Sequence, residues 1–243
     1  MSTRSKYVNG KLAFYDPANQ HIWTRYESRS HFHEDFDLLT TIPADGSKAN
    51  GTPWVQDITG AGPPVVSLVA DGSGGQLSCA LTADSQAQDA TAHFDDTRYY
   101  DVTKNLVFQA KFQVSVLPTL VGIAHVGLTD DHDPAFVSTT YNAGITIAAS
   151  GAVSINQDDN ATLTAIDIGL TLDVATDYVL RIECFNAEKF RYYIDGVNYG
   201  GTSATPFAAT GANAVLQPFL GIGKASGAGL GTLLVNSIDI WQD

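Results

Sequence analysis

From Phe108 to Val116 apolar and polar side chains alternate without a break. Phe108, Ala110, Phe112, Val114 and Val116 fall on one face, and Gln109, Lys111, Gln113 and Ser115 on the other; Leu106 extends the apolar set. A period of two identifies an antiparallel strand with one face in a core and the other in water. Composition points the same way. Of 26 acidic residues 22 are Asp and only 4 are Glu (Glu27, Glu34, Glu183, Glu188), beside 22 Gly and 23 Thr. Asp and Gly favour turns and Thr favours strands, whereas Glu and Lys, which propagate helices, are scarce. A chain of 243 residues is long enough to bury a core without disulfide or metal staples. A helical or doubly wound α/β fold is excluded, and the expectation is an all-β, antiparallel sandwich.

Further strand patterns bounded by turn signals surround this one: TPWVQDITG, PPVVSLVA, QLSCALTA after the Gly-rich 71–75, and residues 120–128. They continue as a hairpin over 144–157, a strand over 162–172, a hairpin YVLRIECF/KFRYYID and the closing LLVNSIDIW. No fixed-period repeat and no linker divides residues 34–243, which read as one domain. Residues 1–33 read as a separate arm. Within it SKYVNGKLAFYD forms a hairpin turning at Asn9-Gly10, followed by the aromatic-rich ANQHIWTRYESRSHFH.

The net charge is −13, which disfavours a nucleic-acid or membrane-surface partner. It is unevenly placed: residues 1–30 carry +3 (five basic, two acidic) and the remainder −16. A basic arm on an acidic body is the pattern of an interaction tail. MSTRSKYVNG is followed by no apolar stretch, so the chain is expected to be made in the cytoplasm without a secretory signal. Cys79, in register with Leu77 and Leu81, and Cys184, in register with Leu180 and Ile182, are expected as buried thiols.

Taken in order, EDFD, QLSCAL, DVTKNLVFQAKFQV, IAHVGLTD, DYVLRIECFNAEKFRYYIDGVNYG, LQPFLGIG and LLVNSIDIW resemble the concanavalin A-like lectin/glucanase jelly roll over about residues 34–243. The resemblance implies a jelly-roll sandwich, a fold that hosts sugar binders, hydrolases and inert structural domains. The opening Tyr-x-Asn-Gly-x-Leu-x-Phe-Tyr-Asp is similar to the starts of tailed-bacteriophage virion proteins. That implies a capsid decoration (cement) protein, assembled into the virion and homo-oligomeric, whose partner is the major capsid protein or another virion protein. The docking candidates in the arm are Arg4, Lys6, Tyr7, Lys11, Phe14, Tyr15, Trp23, Arg25, Tyr26 and Arg29. The alternative is a glycan-recognising virion module, with Trp54, Tyr193 and Tyr199 stacking on sugar rings.

The chemistry looked for in such a fold is sparse in this sequence. The glucanases it resembles place Glu, Asp and Glu at alternate positions of one strand, so that two carboxylates act together. Here Glu34-Asp35-Phe36-Asp37 comes nearest, without the second Glu. The expectation is accordingly that the chain is not an enzyme and has no catalytic residues. His31 and His33 share a face if extended, and Asp35 and Asp37 could join them as metal ligands, but the residues read rather as a polar surface strand with two solvated imidazoles. TDDHDP (Asp130, Asp131, His132, Asp133) and Asp158-Asp159 lack a calcium-loop pattern and read as acidic turns. GIGKASGAGLG at 221–231 lacks a phosphate-loop context and reads as a flexible loop. No cofactor and no metal is expected.

Overall fold

The structure, a computed structural model, describes residues 4–8, 11–15, 22–23, 30–37, 39, 41–47, 52–71, 74–119, 122–132, 139–160, 164–185, 189–200 and 211–242. Among these, strands account for nearly all regular structure, and a 3-10 turn at Gly211–Ala214 is the exception. Among the described residues no helix is long and apolar enough to cross a membrane.

In the arm, β1 (Arg4–Val8) pairs antiparallel with β2 (Lys11–Tyr15), and β2 with β3 (Ile22–Trp23), as a small sheet of its own. The Val8↔Lys11 register leaves two residues between β1 and β2, the spacing a hairpin with Asn-Gly at its turn adopts. β4 (Ser30–Glu34) belongs instead to the body and spans the boundary expected at 33/34.

The body strands follow as β5 (Val55–Thr59), β6 (Val65–Asp71), β7 (Gly74–Ala80), β8 (Gln88–His93), β9 (Tyr100–Asp101), β10 (Val107–Val116) and β11 (Gly122–Thr129). Next come β12 (Tyr141–Ala148), β13 (Ala152–Asp159), β14 (Thr164–Thr171), β15 (Asp177–Phe185) and β16 (Lys189–Ile194). The last are β17 (Val197–Asn198), β18 (Val215–Lys224) and β19 (Thr232–Gln242). They form two antiparallel sheets. The back sheet runs β17-β16-β15-β10-β19-β7-β6, with β4 also on β19. The front sheet runs β14-β13-β12-β11-β18-β8-β5, with β9 also on β18. Both pack on a common core, which makes the body a jelly-roll-type β-sandwich.

Alternation decides which residues enter that core. Phe108, Ala110, Phe112 and Val114 of β10 are all fully buried, facing Leu180 and Ile182 of β15 across the ladder; Val116, at the strand's end, is exposed. β19 buries Leu233 and Val235 and then Ile238 and Ile240. The change from odd to even positions requires one extra residue, and the register supplies it. Lys111 faces Ser237 while Phe112 faces Val235, so Asn236 is bulged out. From the front sheet come Val126, Leu128, Ile145, Ile147, Leu220 and Ile222. Both cysteines are buried here as reduced thiols, and burial pushes the Cys79 thiol up to about 12.

Trp54 belongs to the core as well. It is fully buried, with Phe94 edge-on at 4.7 Å and Phe36 at 5.6 Å between ring centroids. Its ring faces are occupied by protein, which removes it as a sugar-stacking residue. A second correction concerns 221–231. Gly221–Lys224 is not a loop but the end of β18. Lys224 turns its buried ammonium onto three backbone carbonyls: Thr82 at 2.6 Å, Asp84 at 2.7 Å and Gly229 at 2.9 Å. Only the residues beyond it turn back toward β19.

Candidate functional site: the outer face of the front sheet

Since Ala124, Val126 and Leu128 face the core, Ile123, His125, Gly127 and Thr129 face outward. The cross-strand registers extend this face sideways. One row reads Val55, His93, Phe219, Gly127, Gly144, Asn156, Ala165 from β5 to β14. The next reads Asp57, Thr91, Gly221, His125, Thr146, Ser154, Asp167. A third begins at Gln217 and runs through Thr129, Asn142 and Asp158. Glycines at the centre keep the floor low, and hydroxyls, amides and imidazoles stand around them.

This outer face is unusual because its middle is buried. His93, Thr129, Asn142, Gln217 and Phe219 are 0% exposed and His125 is 4% exposed. Polar groups so placed must be hydrogen-bonded or functional. Several are held by neighbours. Asn156 Nδ2 donates to Thr146 Oγ1 at 2.7 Å, and Asn142 Nδ2 to Thr139 Oγ1 at 3.2 Å. Gln217 accepts from the Phe94 N–H at 2.9 Å and donates to Asp96 at 3.1 Å. The acids of this face lie at its margins: Asp57 and Asp89 on β5 and β8, Asp158 and Asp167 on β13 and β14. The central strands β18, β11 and β12 carry none.

At one end of the face the segment after β11 folds back over it. Asp130 anchors the turn. Its N–H donates to the Tyr141 carbonyl at 2.9 Å, its carboxylate accepts the Tyr141 N–H at 3.0 Å, and Arg98 approaches at 3.8 Å. The anchored turn lays the His132 ring flat on His93, with centroids 4.6 Å apart and planes 8° from parallel. His132 Nδ1–H donates to Asp96 Oδ1 at 2.9 Å, and its Nε2 lies 3.6 Å from Asp45. Asp95 and Asp96, consecutive residues at φ 53° and 55°, form the left-handed turn that aims Asp96 at this ring. Short polar side chains tolerate that conformation best.

The pKa values of the two rings are pushed in opposite directions. Burial drives the His93 pKa down to about 4 and that of His125 to about 3. Burial opposes charge on His132 too, but Asp96, Asp45 and Asp131 outweigh it and raise the pKa above the ordinary 6.5. The consequences for stability have opposite signs. Below pH 6.5 the unfolded chain takes up protons that folded His93 and His125 refuse. Stability therefore falls by about 1.4 kcal/mol per pH unit for each ring. The His132 contribution is complete below 6.5 and is lost as pH rises through its folded value. Urea unfolding midpoints are thus expected to peak near pH 6.5 and decline on both sides; a flat profile between about pH 5 and pH 8 would contradict these assignments.

Donor atoms of Asp45, His93 and His132 lie within 4.8 Å of one another, as do those of Asp96, Asp131 and His132. The first set has the composition of a zinc site. Its geometry does not suit one. An ion ligated by both rings must lie in both ring planes, and the planes are parallel and stacked. Moreover His93 Nδ1 accepts the Asp95 N–H at 3.1 Å, so the neutral ring carries its proton on Nε2 and offers no lone pair there.

The residues singled out from sequence are scattered. His31 and His33 both reach Asp239 Oδ1 on the back sheet, at 3.4 Å and 2.9 Å, and His33 Nε2 stands 3.8 Å from Asp35. Tyr193 faces outward on the back sheet, in the row His33–Asp239–Gln109–Arg181–Tyr193. Tyr199 packs partly buried against the core. Neither shares a face with the buried polar rows. In the arm, Arg4, Lys6, Tyr7, Lys11, Phe14, Tyr15 and Trp23 are strand residues, but their side chains, and Arg25, Tyr26 and Arg29 entirely, lie outside the described residues. His93, His125, Asn142, Asn156 and Phe219 were missed. In DATAHF the polar Asp89, Thr91 and His93 alternate with Ala90 and Ala92, and in IAHVGLTD His125 and Thr129 fall opposite Ala124, Val126 and Leu128; that was the available signal.

No family model and no curated protein matches the sequence. Solved structures do. A protein of unknown function from Shewanella oneidensis superposes with a TM-score of 0.61 at 13% identity, covering 87% of this chain and 85% of that one. A β-1,3-glucanase from Mycobacterium marinum gives 0.55 at 15% identity over 86% and 97%. A Mycobacterium tuberculosis protein described as an immunostimulatory antigen and pseudo β-1,3-glucanase gives 0.55 at 14% identity over 87% and 98%. At such identities the likeness establishes the fold. It also corrects the expectation that the chain is not an enzyme. That exclusion rested on a missing three-carboxylate strand, yet the same fold over most of the chain carries a protein named as a glucanase.

Proposed function

We propose that the protein binds carbohydrate on the outer face of the β5–β14 sheet. The observation that carries this reading is the row Asp57, Thr91, Gly221, His125, Thr146, Ser154, Asp167 and its neighbours. It supplies closely spaced donors and acceptors over a glycine-lowered floor, which suits a ligand that presents a hydroxyl on almost every carbon. Glucanase-named proteins among the fold neighbours support the same ligand class. Neutral glucans fit better than uronates, because the acids on the strands of this face are Asp57, Asp89, Asp158 and Asp167 and would repel carboxylates.

Laminarin, a neutral β-glucan, is expected to bind in the micromolar-to-millimolar range by calorimetry. Ser154→Trp, which fills the partly open β13 portion of the floor, is expected to weaken it at least about tenfold, or 1.4 kcal/mol. Silence of the folded protein toward laminarin and across a broad glycan array would overturn the proposal.

A second reading, docking of a virion protein onto a capsid through the arm, is favoured by the small sheet β1-β2-β3, which is separate from both body sheets. Deleting residues 2–30 is expected to abolish docking while leaving the β-sandwich folded. Undiminished particle occupancy would remove this reading.

A further inference from the structure

The margins of the two sheets are not alike. At one margin of the front sheet, residues 43–45 lie along β5: the Asp45 N–H donates to the Gln56 carbonyl and the Gln56 N–H to that of Pro43, both at 2.8 Å. At the other margin β14 is bulged. Thr171 faces Ala152 and Asp167 faces Ser154, so β14 spends two more residues than β13 between these pairs, with Gly169 at φ 68°. In the back sheet β17 is two residues long, and β4, off the main path, carries His31, His33 and Glu34. Cover, bulges, shortness and charge are the usual protections of a strand edge. Among the described residues β6 has none of them. It stands at the end of the back sheet's order and keeps an unshifted register with β7 from Val65↔Ala80 to Asp71↔Gly74. From Val65 to Ala70 it holds neither a charged side chain nor a proline.

Two residues separate Asp71 from its partner Gly74. In such a hairpin Asp71, Val69, Ser67 and Val65 bond to β7, and the N–H and C=O groups of Val66 and Leu68 point off the edge. Val66 and Leu68 turn their side chains to the core, whereas Val65 and Val69 stand on the outer face, 47% and 40% exposed. We propose that β6 pairs antiparallel with β6 of a second copy of this chain, about a two-fold axis at Ser67. This register is self-complementary. Val66 exchanges both backbone bonds with the partner's Leu68, Val65 meets the partner's Val69, and Ser67 meets its own counterpart. Apolar groups oppose apolar ones, hydroxyl opposes hydroxyl, and no charges are brought together. Pro64, which has no N–H, comes opposite the partner's Ala70 and ends the ladder. Charge favours this occupant at this place: each chain carries −13, so two copies approach most readily along a neutral stretch. The axis stands perpendicular to the joined back sheet, which puts both front sheets on the same side of it. The pair is then bivalent toward a polymeric glucan; that consequence rests on the carbohydrate reading, and the pairing itself does not.

Sedimentation equilibrium of the full chain is expected to show a concentration-dependent approach to twice 25.8 kDa. Because the net charges repel and the contact is uncharged, the association constant is expected to rise several-fold between about 0.05 M and about 0.5 M NaCl. Val69→Lys sets a charge against an apolar neighbour at an exposed position. It is expected to weaken association at least about tenfold with the circular dichroism unchanged. Ser67→Cys tests the register through a gain instead of a loss. The two natural cysteines are buried, and antiparallel pairs without mutual hydrogen bonds bring Cβ atoms to about 4.5 Å. Oxidised glutathione is therefore expected to convert Ser67→Cys, and not the wild type, to a disulfide-linked dimer. A chain that stays at 25.8 kDa at every concentration and both salt levels overturns the pairing. So does a dimer that persists in Val69→Lys and gains no cross-link in Ser67→Cys, since its contact lies elsewhere. Either result leaves the carbohydrate reading standing, and silence toward laminarin leaves the pairing standing.

Discussion

Replacing Lys224 with Met is expected to destabilise the protein by about 3–5 kcal/mol, because it leaves three inward-facing carbonyls without their shared donor. Met keeps most of the aliphatic stem, so the loss isolates the ammonium. For a chain of this size that corresponds to a fall in Tm of about 6–20 °C. The carbonyls belong to Thr82 and Asp84 in the β7–β8 connection and to Gly229 in the β18–β19 connection. A single side chain thus clamps two loops at one end of the sandwich. Arg is not expected to rescue, since its planar fork does not match three carbonyls arranged around one nitrogen. Thermal and urea denaturation measure the effect. A loss below about 1 kcal/mol would show that water replaces the ammonium and that the clamp is incidental.

Trp54→Ala is expected to cost about 3–5 kcal/mol, the range for emptying a large aromatic site in a packed core. Trp54→Phe should retain much of that stability, since Phe94, Phe36 and Phe32 still surround a ring at this position. The pair of variants also decides what the residue is for. If Trp54 stacked on sugar, Trp54→Phe would weaken laminarin binding while leaving the fold intact. With the ring buried in the core, folded Trp54→Phe should bind as the wild type does. Weakened binding without destabilisation would reverse the assignment.

The fold was legible in the sequence wherever one face of a strand meets the core and the other meets water. β10 is such a strand, and alternation from Phe108 onward located it to within a residue. The front sheet is harder, because its outer face is buried as well. In β18 the run Phe219, Leu220, Gly221, Ile222 shows no polar alternate, and its glycines resembled a loop. The site itself was the least legible part. Asn156, Gly144, Gly127, Phe219 and His93 form one row only because five strands align, and those strands span residues 88–224. The His31–His33 pair shows the same limit: its facing positions were evident, but its partner Asp239 lies over two hundred residues away. TDDHDP read as an acidic turn; its buried Asp130 and stacked His132 arise from contacts to Tyr141 and His93 that local spacing does not encode.

The two halves of β19 have different neighbours on the same side. Thr232–Val235 lies against β7, and Ile238–Gln242 against β4, while β10 runs along its other edge. The back sheet therefore contains a slot that Thr232–Gln242 fills. Until that strand docks, the strands on either side of the slot present unpaired edges, a known route to aggregation. Closing the slot joins Glu34 to Ile238, a very long loop closure that comes late and slows folding. Loss of Leu233–Gln242 would accordingly separate β4, β7 and β10 together, making β19 the bolt of the back sheet.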